Sequence, residues 1–189
     1  MILVILGTQD KQFPRLLEAV ENEIKKGTIH EKVMVQAGQT KYESDCMEIF
    51  DLLPAPEFDK LMDEADLIIT HGGAGSILSS IKKGKKVIAA ARLAKYHEHH
   101  NDHQKQIIEE FVKLGYILEL KDFSKLDELI EKSKKFKQKK FVSNTDNMVK
   151  LIENYIEDCD HISWYNRYQI VVLFLLLALL VLIIKIVMF

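Results

Sequence analysis

Residues 67–76 are Leu67-Ile68-Ile69-Thr70-His71-Gly72-Gly73-Ala74-Gly75-Ser76, and they predict the architecture of the chain around them. The short apolar run at the start, bounded by glycines, is typical of a buried strand. The glycines allow the backbone to approach a ligand closely. A helical pattern over 75–83 would direct its free N–H groups at the same point. The segment therefore predicts a strand, a glycine loop and a helix that together cradle an anion.

A second polar cluster follows the next apolar run, Val87–Ala91. It consists of His97-Glu98-His99-His100-Asn101-Asp102-His103-Gln104. Because the carboxyl ends of parallel strands open at one edge of a sheet, we expect this cluster and the glycine loop to share one site.

Strand and helix patterns alternate along the chain. Strands are predicted at Ile2–Leu6, Lys32–Gln36, Glu48–Leu52, Leu67–Thr70, Lys86–Ala91 and Tyr116–Leu120, and helices at about 12–26, 57–64, 75–83, 101–114 and 143–158. This alternation predicts an α/β fold, a Rossmann-like parallel sheet with helices on both faces.

Length and charge limit the classes of protein to which the chain can belong. The 189 residues leave room for one soluble domain of about 160 residues, and the formal net charge of −2 argues against a nucleic-acid partner. Cys46 and Cys159 belong to no CxxC pair, so we expect reduced thiols in a cytosolic compartment.

The C-terminal segment from Ile170 to Phe189 is apolar apart from Lys185. As a helix it would span roughly 30 Å, which predicts a single transmembrane anchor, with a packed core helix as the alternative. Because Met1–Leu6 is too short for a signal peptide, we expect the soluble domain to be cytoplasmic. The predicted division is a domain over 1–158, a juxtamembrane linker over 159–168 and the anchor over 169–189.

Six lysines lie between positions 132 and 140: Lys132, Lys134, Lys135, Lys137, Lys139 and Lys140. Such a run is typical of a solvated helix face followed by a loop. The alternative is a patch that rests on anionic lipid.

The chain resembles a known family in three places. His71-Gly72-Gly73-Ala74-Gly75-Ser76-Ile77, Gly84-Lys85-Lys86-Val87-Ile88 and Asn101-Asp102-His103-Gln104 are similar to the donor-binding domain of family 28 glycosyltransferases, over residues 1–157. The look-alikes within this family are bacterial capsular and exopolysaccharide β-1,4-galactosyltransferase-type subunits and the catalytic subunit of the eukaryotic transferase that extends dolichol-linked sugar. The resemblance implies one half of a GT-B enzyme, which takes a UDP-sugar as donor and needs no metal or cofactor.

The resemblance also implies a set of substrate-binding residues. The backbone from Gly73 to Ser76 and the Ser76 hydroxyl would hold the donor pyrophosphate, and the segment ending in Gln104 would contact the sugar. His71 is a weak candidate for the catalytic base, and a structural histidine is an equal alternative. The full set is Gly7, Thr8, Gly38, His71, Gly72, Gly73, Gly75, Ser76, Asn101, Asp102, His103 and Gln104.

Other interpretations of these motifs are weaker. The glycine loop is not a dinucleotide fingerprint, because Leu78 stands where the third glycine would be. The histidines between His97 and His103 do not have the spacing of a zinc motif. Two positions depart from the family pattern: Ser79 replaces a glutamate that grips the ribose in many relatives, and Ala91 replaces a common proline.

The expected function is that of the donor-binding subunit of an inverting glycosyltransferase. It would transfer a hexose from a UDP-sugar to a lipid-diphosphate-linked acceptor in capsule or exopolysaccharide synthesis. Because only the donor half is present, a membrane-associated acceptor-binding subunit should complete the cleft. The alternatives are a non-catalytic nucleotide-sugar-binding or scaffold subunit, and an unrelated membrane-anchored phosphate-binding protein.

Overall fold

The structure is a computed structural model that describes the backbone of residues 1–188, and the side chains of these residues except 160–164 and 180–188. The chain divides into two compact units, Met1–Phe141 and Val142–Phe189. The first contains every strand described below. The second contains one long helix.

The first unit is built on a parallel sheet of six strands, which confirms the predicted fold class. The spatial order is β3-β2-β1-β4-β5-β6. The strands are β1 (Ile2–Ile5), β2 (Val33–Gln36), β3 (Glu48–Phe50), β4 (Leu67–His71), β5 (Lys86–Ala90) and β6 (Leu118–Glu119). Because the chain reverses its direction of travel across the sheet between β1 and β4, the switch point of the fold lies between these strands.

Five helices cover the sheet. They are α1 (Pro14–Lys25), α2 (Ala55–Glu64), α3 (Ala74–Lys82), α4 (His103–Lys113) and α5 (Leu126–Lys135). Short 3₁₀ turns at Ala94–Tyr96 and Phe123–Lys125 join the later elements.

Side chains alternate along each strand and fill two cores. On one face Val4 and Ile69 pack with Leu16 and Leu17 of α1 and with Ile130 of α5. On the other face, strand residues pack with helices α2, α3 and α4, and the residues concerned include Leu3, Ile68, Met62, Ile77 and Ile108. The sheet is therefore covered on both faces, as the near-continuous apolar strands predict.

The elements at the two edges of the sheet are shorter than predicted. Strand β3 ends at Phe50 and is half-buried or exposed, and β6 comprises only Leu118 and Glu119. Edge strands pair on one side only, so fewer of their residues are fixed in the ladder. The lysine-rich region forms helix α5, whose buried face includes Leu126 and Ile130, followed by an irregular segment.

The second unit is helix α6, which extends from Thr145 to Met188. Its sequence contains neither glycine nor proline, so nothing in the backbone interrupts it. The helix continues through the predicted linker at 159–168, and the first unit ends before the predicted limit at 158.

Within the residues that the structure describes with their side chains, no helix offers an apolar run of the length needed to cross a bilayer. The predicted transmembrane anchor over 169–189 is thus not supported by these residues. Its second half, 180–189, lies outside them.

Candidate functional site

A cleft of about 380 Å³ opens at the carboxyl ends of β1 and β4, which is the switch point of the sheet. Open parallel sheets bind their ligands at such points. The lining residues are Ile5, Gly7, Thr8, Gln36, Phe58, Met62, His71, Gly73, Gly75, Ser76 and Ser79. Six of the predicted site residues therefore share one cleft: Gly7, Thr8, His71, Gly73, Gly75 and Ser76.

The amino terminus of α3 forms one side of this cleft. Gly73 is the residue before the helix, and no side chain caps it. The first intrahelical bond runs from the N–H of Ile77 to the oxygen of Gly73. In the described part of the chain the N–H groups of Ala74, Gly75 and Ser76 meet no acceptor, and the first turn holds no acidic residue. A helix end of this kind attracts an anion.

The imidazole of His71 lies in the cleft between Gly7 and Gly73. A Cβ atom built on Gly7 would lie 2.6 Å from Cε1 of this ring, and one built on Gly73 would collide with Nε2. The ring therefore occupies the space that side chains at positions 7 and 73 would need. This contact is a reason for glycine at both positions that does not depend on a ligand.

Nδ1 of His71 lies 3.3 Å from the oxygen of Ile5. Since a carbonyl oxygen can only accept, this contact requires the proton on Nδ1 and leaves a lone pair on Nε2. The hydroxyl of Thr70 donates to the same oxygen at 3.0 Å. Burial and, next, the charge of Arg92 lower the pKa of His71 to about 4. The imidazole is therefore neutral at physiological pH and offers a hydrogen-bond acceptor rather than a charge.

Gly38 supports the loop after β1 and is itself buried. Its φ is 59°, and a Cβ atom there would collide with the oxygen of Gly7. The N–H of Gly38 donates to Asp51 at 2.9 Å. The structure thus places Gly38 behind the cleft, where it allows the loop after β2 to lie close to the loop after β1.

Gln104 is buried and connects two loops. Its Oε1 accepts the N–H of Gly72 and the N–H of Arg92, each at 3.1 Å. A Cβ atom on Gly72 would lie 2.7 Å from Cβ of Gln104, so this glycine lets α4 approach the end of β4. Neither Gly72 nor Gln104 is among the residues that line the cleft.

The polar segment before α4 is exposed at Asn101, Asp102 and His103. Oδ1 of Asn101 accepts the N–H of His103 at 3.1 Å, at the start of the helix. Asp102 accepts from the N–H of Ala94 and from Lys105, and both contacts lower its pKa. The structure places these three residues outside the cleft lining.

An apolar wall that the sequence analysis did not assign to the site faces the glycine loop. It is formed by Phe58 and Met62 of α2, four residues apart and therefore on one side of the helix. That spacing is also typical of a core-facing stripe, so the sequence held no separate signal for a binding role. Ser79 lines the same cleft.

The histidines after β5 make local contacts. Nδ1 of His99 accepts the N–H of Asn101 at 3.2 Å, and Nδ1 of His103 lies 3.0 Å from Oε1 of Gln106. Among the described residues, no three His, Cys, Asp or Glu side chains form a group that could hold a metal ion.

Two named relatives align with part of the chain. A UDP-N-acetylglucosamine transferase subunit ALG13 from Candida glabrata is 45% identical over 53 residues, which cover 28% of this chain and 25% of the relative. The protein of the same name from Debaryomyces hansenii is 26% identical over 107 residues, which cover 57% and 46%. The chain thus matches less than half the length of each of these curated relatives.

Two solved structures have a fold similar to that of this chain. The solution structure of ALG13 has a TM-score of 0.51 at 22% identity, and the match covers 79% of this chain and 93% of that one. The kitacinnamycin glycotransferase has a TM-score of 0.51 at 16% identity, covering 70% of this chain and 34% of that one. At such identities the likeness concerns the fold alone.

A domain family matches most of the chain. The glycosyltransferase family 28 C-terminal domain matches residues 1–157, a range that contains the sheet, the glycine loop, the cleft and the segment ending in Gln104. The chain belongs to the glycosyltransferase family 28 C-terminal domain family.

Proposed function

We propose that the chain is the donor-binding subunit of an inverting glycosyltransferase and that its cleft binds a UDP-sugar. One observation carries this proposal. The cleft lies at the switch point of a parallel sheet, beside the uncapped amino terminus of α3, in a member of a glycosyltransferase domain family.

The diphosphate of the donor would lie against the N–H groups of Ala74, Gly75 and Ser76. As the bond between sugar and diphosphate breaks, negative charge grows on the leaving nucleoside diphosphate. N–H groups already aimed at that charge stabilise the transition state more than the ground state. The first turn of α3 would therefore serve both binding and catalysis.

The nucleobase would lie against Phe58 and Met62. An aromatic ring and a thioether side chain form an apolar surface on which a flat base can pack. The neutral His71, with a lone pair on Nε2, would accept a hydrogen bond from a donor hydroxyl. Because the pKa of His71 is about 4, this residue is a poor proton acceptor at neutral pH, and we assign it to binding rather than to the general base.

The acceptor half of the enzyme would come from a second, membrane-associated subunit. The relatives from Candida glabrata and Debaryomyces hansenii are named as transferase subunits, which favours a divided enzyme. We propose a lipid-diphosphate-linked acceptor and a place in capsule or exopolysaccharide synthesis. The chain alone should then bind donor but transfer sugar slowly or not at all.

A non-catalytic role in such a complex is the second candidate. It is favoured by Ser79, which lines the cleft where many family members carry a ribose-gripping glutamate. A serine hydroxyl is shorter and uncharged, and it would hold the ribose less firmly. Such a subunit would bind UDP, yet the complex would keep its transfer activity when the cleft is disrupted.

Calorimetric titration of the full-length chain with UDP, ADP and GDP, in EDTA, tests donor binding. Tighter binding of UDP than of the purine nucleotides is expected. Equal affinities for all three would contradict a uridine nucleotide as the ligand. UDP-glucose, UDP-galactose and UDP-N-acetylglucosamine would then be compared to identify the sugar.

Transfer assays with the co-purified partner subunit separate the two candidates. A variant that no longer binds UDP should abolish transfer if the subunit is catalytic. Full transfer by that complex would favour the scaffold role instead.

A further inference from the structure

Arg92 follows β5 and is buried to 1% exposure, although it belongs to a polar loop in the sequence. Its Nη2 donates to the oxygen of Leu6 at 2.6 Å, and its Nη1 donates to Oε1 of Gln9 at 3.0 Å. Nε is also buried and meets no hydrogen-bond partner. The guanidinium therefore lies beneath the loop that follows β1.

The charge of Arg92 has no counter-ion close by. Among the described residues no carboxylate lies within 4.0 Å of this guanidinium. Glu98 is the carboxylate with the largest effect on its pKa, but both oxygens of Glu98 are bound by Arg15 at 2.8 Å. An arginine stays protonated even when buried. The edge of the sheet thus contains a buried positive charge that no carboxylate contacts and that Glu98 and Asp10 offset only from a distance. Such a charge destabilises a protein unless something balances it.

The position of Arg92 connects this charge to the cleft. The oxygen of Leu6 accepts the hydrogen bond from Nη2 of Arg92. Leu6 directly precedes Gly7, which lines the cleft. The backbone N–H of Arg92 shares the Oε1 of Gln104 with Gly72 of the glycine loop. The charge of Arg92 also acts on His71 inside the cleft, because it contributes to the lowered pKa of that residue.

We propose that Arg92 is a positioning residue whose fixed, buried charge balances the diphosphate of the ligand through the loop that follows β1. The inference rests on the proposed function. It deepens that function because it specifies how the site distinguishes a nucleoside diphosphate from an uncharged nucleoside. The diphosphate is the counter-ion that the folded chain does not provide for Arg92.

The test uses the full-length chain and the variants Arg92→Gln and Arg92→Lys. Arg92→Gln removes the charge and should weaken binding of UDP by about tenfold, while the affinity for uridine stays unchanged. Arg92→Lys keeps a charge and should stay closer to the wild type. Lys95→Gln, which removes an exposed charge three residues away, is the matched control and should bind UDP as the wild type does.

The pKa of His71, followed by NMR, separates loss of the charge from loss of packing, because burial also lowers this pKa and looser packing would raise it in both variants. It should rise in Arg92→Gln and stay near the wild-type value in Arg92→Lys. Equal losses of affinity for UDP and uridine, or the same UDP affinity in Arg92→Gln as in Lys95→Gln, would overturn the proposal. If Arg92→Gln does not fold, Arg92→Lys carries the test, because a buried ammonium loses its proton far more readily than a guanidinium. Its affinity for UDP should fall as the pH is raised while that of the wild type does not, and the same pH dependence in both proteins would overturn the proposal.

Titration with inorganic pyrophosphate separates this proposal from the proposed function. If the wild type shows no preference for UDP over ADP and GDP, the donor assignment fails. Weaker pyrophosphate binding in Arg92→Gln would still support the role of Arg92. Unchanged pyrophosphate binding in that variant would overturn the role even if UDP were selected.

Discussion

The imidazole of His71 fills the space that a side chain on Gly73 would occupy. Through this contact the residue that ends β4 determines which residue can directly precede α3. The same ring lies against Gly7 from the loop after β1. One neutral side chain thus sets the distance between the two loops that border the cleft.

Gly73→Ala should destabilise the protein, whereas Gly75→Ala should not. A Cβ atom at position 73 meets the His71 ring, while one at position 75 meets nothing within 4 Å. We expect Gly73→Ala to cost about 1–3 kcal/mol of unfolding free energy, as overpacking does, and Gly75→Ala to stay within about 0.5 kcal/mol. Urea denaturation of both variants measures the difference. Equal stabilities would mean that the ring moves aside freely.

Gly75→Val should weaken UDP binding without disturbing the folding of the protein. The added side chain enters open space at a position that lines the cleft. We expect about tenfold weaker UDP binding by calorimetry and a cooperative unfolding transition like that of Gly75→Ala. Wild-type affinity in this variant would show that UDP does not bind at the first turn of α3.

Stability should fall with acidification because of His71. Its pKa is lowered from 6.5 to about 4 by burial and by Arg92, so the unfolded chain binds more protons than the folded one in this interval. The stabilising difference is present above pH 6.5 and is lost as the pH falls through 4, by up to about 3 kcal/mol.

His71→Gln should flatten this dependence when unfolding free energies are compared between pH 7 and 4.5. Glu21, whose pKa is lowered from 4.5 to about 2 chiefly by its hydrogen bond from Ser44, begins to bind protons in the unfolded chain at the acidic end of this interval. It does so equally in the wild type and in His71→Gln, so the difference between their slopes reports His71. An unchanged slope in His71→Gln would contradict a buried, neutral histidine.

Gln104→Ala should destabilise the protein by about 2–4 kcal/mol, since it leaves the buried N–H groups of Gly72 and Arg92 without their acceptor. Gln104→Glu keeps an acceptor oxygen and should lose less. The exposed Gln106 provides the control, Gln106→Ala, which should match the wild type in thermal unfolding.

Affinities for UDP and UDP-sugar should fall together in Gln104→Ala. A loss confined to UDP-sugar would instead mean that Gln104 contacts the sugar.

Phe58→Ala should weaken UDP binding and leave pyrophosphate binding unchanged. The ring lies on the apolar wall of the cleft, where only a ligand with a base would contact it. Leu114→Ala, at an exposed leucine that does not line the cleft, is the control. Equal losses for UDP and pyrophosphate would show that the substitution disturbs the phosphate cradle rather than a base contact.

The central part of the fold could be predicted because its signals are local. The run before His71 is apolar enough to be buried on both faces, and the glycines and the helical pattern follow it directly. The edge strands could not be placed as well, because Asp51 and neighbouring polar residues leave the apolar pattern around β3 incomplete. Their extent depends on a ladder that forms on one side only.

The position of a residue in the candidate cleft can be predicted where backbone chemistry determines it and not where packing does. Gly7, Gly73 and Ser76 follow strands and so fall at the carboxyl edge. The burial of Arg92, the two hydrogen bonds to Gln104 and the contact of Phe58 with the cleft depend on pairs far apart in the chain. Periodicity cannot tell a core-facing side chain from one that faces a cleft.

The pairing of β1 with β4 has a consequence for the order of folding. The hydroxyl of Thr70 reaches the oxygen of Ile5 across 65 positions, and Ile2 aligns with Leu67 in the parallel ladder. Non-local parallel pairing has a high loop-closure entropy and forms late. During synthesis the first half of the unit thus supplies Gly7, Thr8 and Phe58 of the cleft lining before the phosphate-facing half of the cleft exists, and ligand binding can stabilise only a chain whose β4 and α3 have already left the ribosome.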